Sequence, residues 1–180
     1  MEQQTSTDPR GEVQDLLARI AQLADDGTVE EYLEHFTADA IWESQANPVT
    51  GMAAQMRKGV EAIEEGVRER RAGGVQGPGT SSRHVITTVA VSLDSDVEAS
   101  STAYWLFFRD TTSEPRLAGV GRYDDTHRYE GGRWKLAHRR ITVGWSPRVL
   151  RTCRGFSGLP SATSAQNARG GGTGQAGIPS

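Results

Sequence analysis

The side chains here with the right chemistry to move protons are histidine, aspartate, arginine and tyrosine. Four histidines are spread along the chain: His35, His84, His127 and His138. A neutral imidazole, with an ordinary pKa of about 6.5, can accept a proton near neutral pH. A carboxylate on its far nitrogen would fix its tautomer and stabilise the imidazolium that forms. Asp25 and Asp26 stand together where a helical pattern ends, and either could cap that end instead. The strip His138-Arg139-Arg140 carries cationic groups on a segment that reads as a strand. Neighbours on a strand point to opposite faces, so Arg139 and Arg140 cannot both face inward unless a bulge intervenes. Alternation alone leaves open which of the two faces inward. Tyr104 and Tyr123 could donate phenolic hydrogen bonds to a carbonyl substrate. Trp42, Trp105 and Phe107 read as core or pocket wall, because large aromatics chiefly bury area.

Other chemistries find less support. The histidines lack metal-ligand spacing. Asp124-Asp125-x-His127 reads as a polar strand edge. The single cysteine, Cys153, has no partner for an intramolecular disulfide and lies in a polar tail. GGGTG, near the C-terminus, has no strand before it and no helix after it, so it is not a phosphate loop. No nucleotide, flavin or other cofactor motif is present. A net charge of −3 with interleaved signs excludes a nucleic-acid footprint. No apolar run is long enough to span a bilayer, and MEQQTSTDPR lacks the pattern of a signal peptide. A cytoplasmic location is expected.

The elements that must position these groups are readable from periodicity. A first helix is expected from Asp8, a good N-cap, with Pro9 at its first position. Val13, Leu16, Leu17, Ile20 and Leu23 form its apolar face. Thr28, with Glu31 three residues on, predicts a capping box for a second helix burying Tyr32, Leu33 and Phe36. Ala40 to Ser44 reads as a short strand centred on Trp42. Gly51 to Arg71 is helical in composition, interrupted at Gly59. Its charged residues, Glu61, Glu64, Glu65, Arg68, Glu69, Arg70 and Arg71, read as a solvated face. Strand-like text runs from His84, with a turn at Asp94-Ser95-Asp96. The stretch from Leu117 to Trp145 reads as a hairpin turning at Gly131-Gly132. If His84 faces inward, Ile86 and Thr88 follow it, while Arg83 and Val85 face away. Helices followed by strands indicate an α+β fold. Residues 1–8 and the Gly/Ser/Ala-rich stretch 152–180 read as disordered ends around a domain spanning 9–147.

The segments LADDGTVEEYLEHFTADAIWES, SSRHVITTVAV and GVGRYDDTHRYEGGRWKLAHRRI, in this order and spacing, resemble the SnoaL-like branch of the nuclear transport factor 2-like superfamily. The resemblance covers roughly residues 12–146. It implies a strongly curved, mixed but mainly antiparallel sheet forming a cone closed by about three helices, with a pocket inside. Members include scytalone dehydratase, hexachlorocyclohexane dehydrochlorinase, polyketide cyclases, ketosteroid isomerase, and the non-catalytic β subunits of ring-hydroxylating dioxygenases. In the dehydratase and dehydrochlorinase members an Asp ending the first helix orients a His opening the second strand. By spacing, Asp25 and His84 match that pair. Arg139 matches the pocket arginine of the dehydrochlorinase, which favours it over Arg140 as the one facing inward. Ile20 stands where that enzyme has a lysine, which argues against dehydrohalogenation. The implied function is a cofactor-independent lyase, isomerase or cyclase, with no metal. His84 and Asp25 would be its catalytic pair, with Arg139, Tyr104, Tyr123 and Trp42 binding an apolar or polyketide-like small molecule from secondary metabolism. The alternative is a non-catalytic ligand- or partner-binding domain or accessory subunit. A homodimer or homotrimer is expected, because the outer face of an open sheet needs cover. Neither nucleic acid nor membrane is an expected partner.

Overall fold

The computed structural model describes residues 8–46 and 53–144. The Asn47-Pro48 connection, Trp145, Cys153, the tail at 152–180 and the N-terminal residues before Asp8 lie outside them.

Helix α1 (Pro9–Asp26) starts where the sequence says it should. The Asp8 side chain accepts from the Arg10 N–H, and Pro9, which has no N–H to leave unpaired, takes the first turn. Its buried stripe is Val13, Leu16, Leu17, Ile20, Ala21 and Ala24. Helix α2 (Val29–Leu33) opens on the expected capping box: Thr28 Oγ1 accepts from the Glu31 N–H and Glu31 returns the bond. Phe36 is buried as expected, but it opens strand β1 (Phe36–Ser44) rather than extending the helix.

The helical reading of Gly51 to Arg71 holds only beyond its interruption at Gly59 and is corrected before it. Gln55–Lys58 forms strand β2, antiparallel to β1, with Ile41 opposite Lys58 and Ser44 opposite Gln55. Gly59, at φ 84°, makes the reversal into helix α3 (Val60–Ala72). The QMRK segment pairs along one edge only and is mostly exposed, so it carries no alternation to betray it.

Four long strands follow: β3 (Arg83–Leu93), β4 (Glu98–Arg109), β5 (Arg116–Glu130) and β6 (Arg133–Val143). The sheet order is β2-β1-β6-β5-β4-β3, with β1–β6 the parallel pair and the remaining neighbours antiparallel. This open mixed sheet with three helices is the cone-like α+β class the sequence implies. The β5–β6 turn uses Gly131 and Gly132 at φ 62° and 83°, as a two-residue hairpin loop requires.

Bulges give the sheet its curvature. On β3, Thr88 and Val89 together oppose Ala103, and Thr88 takes φ 53°, a costly angle for a β-branched residue. On β6, Ala137 is the extra residue between the pairs His127–Leu136 and Thr126–His138. Each bulge switches which parity faces inward. Thr88, expected inside with His84 and Ile86, is therefore exposed, and Val91 beyond it packs on the core. That core joins Val13, Leu16 and Ile20 of α1 to Tyr32, Phe36, Ile63, Val67, Trp134 and Leu136. Each fully buried Leu or Ile there contributes roughly 1.5–3 kcal/mol.

Candidate active site

Asp25 sits in the last turn of α1, where a carboxylate opposes the helix dipole, and it is 2% exposed. A buried acid in that position needs donors. His84, second residue of β3, supplies two. Its backbone N–H and its ring Nδ1 lie 2.7 Å from Asp25 Oδ2 and Oδ1 respectively. A carboxylate can only accept, so the network assigns the ring hydrogen to Nδ1 and leaves the lone pair on Nε2. Phe107 packs against the imidazole at 4.6 Å between centroids. Arg83, facing the other way, pairs with Asp26 at 3.3 Å. The two neighbouring aspartates are thus divided between the inside and the surface.

His84 borders a cavity of about 290 Å³ between α1, the C-terminal end of α3 and the concave face of the sheet. Its apolar wall includes Ile20, Ala24, Ile86, Phe107, Ile141 and Val143, with Trp42 and Trp105 as the large aromatics. Tyr32, Tyr123, Arg70, Arg139, Ser44 and Gln76 bring polar atoms to the same space. Ser44 Oγ and Trp105 Nε1 are buried without a hydrogen-bond partner among the described residues. Burial pushes the Tyr123 phenol up to about 12, so it remains a donor at neutral pH. Tyr32 is raised for the same reason.

Arg139 faces inward because of the Ala137 bulge. Continuing the alternation of Trp134 and Leu136 would have placed His138 and Arg140 inside instead. Those two lie on the other face beside Glu43, and Arg140 bonds it directly. Arg139 is gripped by Asp125: Nε lies 3.1 and 3.2 Å from its two oxygens and Nη2 lies 2.7 Å from Oδ2. Its guanidinium also lies 3.9 Å from the Tyr123 ring centroid. Burial works against the charge, but Asp125 outweighs it and holds Arg139 protonated above its ordinary value.

Several readings are corrected. Asp125 and His127 are no polar edge: they are 3% and 1% exposed and lie on the concave face with Tyr123. His127 Nε2 meets Ser101 Oγ at 2.8 Å, and burial, helped by the Arg139 charge, drives its pKa down to about 3. The run Tyr123-x-Asp125-x-His127 had the right spacing for one face; polar residues there simply read as outward. Tyr104 is 45% exposed on the convex face, because its neighbours Ala103 and Trp105 take the inward positions. It does not line the cavity. Finally, α3 does not turn all its charges to solvent. Arg71 donates to the Leu23 carbonyl at 3.2 Å, and Arg70 lines the cavity with its guanidinium 5.0 Å from the Trp42 ring centroid.

The sequence profile of the SnoaL-like domain matches residues 5–140, and the chain belongs to this family within the nuclear transport factor 2-like superfamily. No curated protein matches the chain significantly. Solved structures similar to it include a cystatin-like-fold protein of unknown function from Nostoc punctiforme, 23% identical, with TM-score 0.62 over 78% of this chain and 95% of that one. A proposed scytalone dehydratase from Novosphingobium aromaticivorans is 20% identical, with TM-score 0.56 over 76% and 84%. The β subunit of a proposed aromatic-ring-hydroxylating dioxygenase from the same organism is 20% identical, with TM-score 0.59 over 76% and 89%. Similarity at these identities establishes the fold; the site has to argue the chemistry. No helix among the described residues is long and apolar enough to cross a membrane.

Proposed function

We propose that the protein is a cofactor-independent lyase, isomerase or cyclase acting on a largely apolar small molecule. The observation that carries this reading is the Asp25–His84 contact at 2.7 Å on the border of the cavity. His84 Nε2 takes a proton from a substrate carbon or hydroxyl, and Asp25 stabilises the imidazolium that forms. Negative charge then develops on a substrate oxygen, and the Tyr123 phenol donates to it. Arg139 adds positive potential behind that phenol. Its partner Asp125 fixes its position and neutralises much of its charge, so Arg139 orients more than it binds. The imidazolium returns its proton to a leaving hydroxyl in a dehydration, or to a different atom in an isomerisation or ring closure. Water is displaced by the apolar wall, which strengthens each of these interactions.

The alternative is a binding or accessory domain, in keeping with the likeness to a dioxygenase β subunit. One comparison separates the two. With a substrate found by screening hydroxylated polyketide-type rings for dehydration or cyclisation, His84→Ala should lower turnover by about 10²–10⁴-fold with the fold retained. A folded His84→Ala protein with full activity removes the mechanism. Absence of turnover across the screen, with tight binding of the same compounds, favours the binding domain.

A further inference from the structure

Arg70 is the one cavity-lining cation with no carboxylate partner among the described residues. Arg139 has Asp125, whereas Arg70 makes no hydrogen bond or ion pair there and rests on the Trp42 ring. Its neighbours on α3 are satisfied elsewhere: Arg68 pairs with Glu64 and Glu30, and Glu69 with Arg57. A guanidinium partly withdrawn from water with no counter-charge among the described residues is costly, and burial lowers the Arg70 pKa accordingly. Around the same cavity, Ser44 and Trp105 are at least nine-tenths buried, and Ser44 Oγ and Trp105 Nε1 have no hydrogen-bond partner among the described residues. Buried donors without acceptors mark a place where something else supplies the acceptor.

We infer that the cavity binds a ring-bearing monocarboxylate, with the carboxylate on Arg70 and the apolar ring between Trp42, Trp105 and Phe107. The guanidinium fork matches a carboxylate in geometry and charge. The side chain's position over Trp42 limits its freedom before the ligand arrives. Ser44 and Trp105 donate to further oxygen atoms of the ligand. Most of the remaining wall is apolar, which selects an acid with a ring rather than a small hydrophilic anion. The inference rests on the acid–base reading only in calling this ligand a substrate; the binding claim stands on the cavity alone.

The test is a matched pair of probes, 2-naphthoate and its neutral isostere 2-naphthamide, titrated against quenching of tryptophan fluorescence and checked by calorimetry. The full-length protein should bind the acid at least about tenfold more tightly than the amide, as expected for hydrogen bonds to a charged group. Arg70→Met keeps the stem over Trp42 and should abolish the preference; Arg70→Lys should restore part of it. Thermal melts establish that both variants are folded, and binding of the amide by Arg70→Met is a second check that its cavity is intact. His84→Ala should keep the preference, so loss of the catalytic reading and loss of this one are separable. Failure of the folded wild-type protein to bind the acid, equal affinity for the two probes, or a preference that persists in Arg70→Met would overturn the assignment.

Discussion

His84 offers two donors, its backbone N–H and its Nδ1–H, to the two oxygens of Asp25, each at 2.7 Å. The double contact ties the end of α1 to the start of β3 and fixes the imidazole in one tautomer. Asp25→Asn keeps the shape but removes the charge, and its amide can present a donor to Nδ1 and reverse the tautomer. Turnover should fall by about 10²–10⁴-fold, with the melting temperature changed far less. Steady-state kinetics beside a thermal melt checks this. Unchanged kcat in Asp25→Asn would show that the contact is structural only.

Tyr123 is buried between Trp105, stacked at 5.9 Å, and Arg139, yet its hydroxyl has no hydrogen-bond partner among the described residues. Tyr123→Phe preserves both ring contacts and deletes one donor to the cavity. Turnover should drop by about 10²-fold while stability holds, because no hydrogen bond to the described residues is lost. A comparable loss of stability and activity would assign the hydroxyl to the fold.

Gly121 leaves room for the cavity wall. A Cβ there would lie 2.0 Å from the Thr142 carbonyl oxygen and 2.6 Å from Trp105 Cζ2. The first of these atoms is backbone in the neighbouring strand and cannot swing aside. Gly121→Ala should therefore destabilise by about 1–3 kcal/mol or more and displace Trp105 from the cavity. Chemical denaturation and the Trp fluorescence maximum report the two effects separately.

His127 imposes a pH dependence on stability. Its pKa of about 3 in the folded chain lies below the ordinary value of about 6.5 expected when unfolded. Between those values the unfolded chain binds the proton and the folded chain does not, so stability falls as pH is lowered from about 6.5 towards 3. Above 6.5 this residue contributes no slope. The slope from one such group approaches about 1.4 kcal/mol per pH unit. His127→Gln retains a group able to meet Ser101 and removes the titration. Its stability should depend on pH less steeply across that window in a series of urea melts.

Local signals made much of the framework legible. Asp8-Pro9, the Thr28–Glu31 box and Gly131-Gly132 each act within a few residues, so their consequences are readable in order along the chain. The apolar positions of β6 even held a trace of the bulge: Trp134 and Leu136 are even, Ile141 and Val143 odd, and only an extra residue reconciles them. Strand β2 was hidden because an exposed edge strand has no face to alternate.

The sequence by itself determined the starts of the first two helices, the hairpin and the family pattern that pairs Asp25 with His84. Tertiary structure decided which polar residues are buried. Asp125 and Arg139 sit 14 positions apart in sequence yet lie opposite each other on β5 and β6, so each makes the other's burial tolerable. Arg70 belongs to a run of charges that reads as solvated, and only the packing of α3 over β1 and β2 turns it towards Trp42. Charge marks a side chain as expensive to bury; whether the expense is met depends on a partner that strand register and helix packing supply.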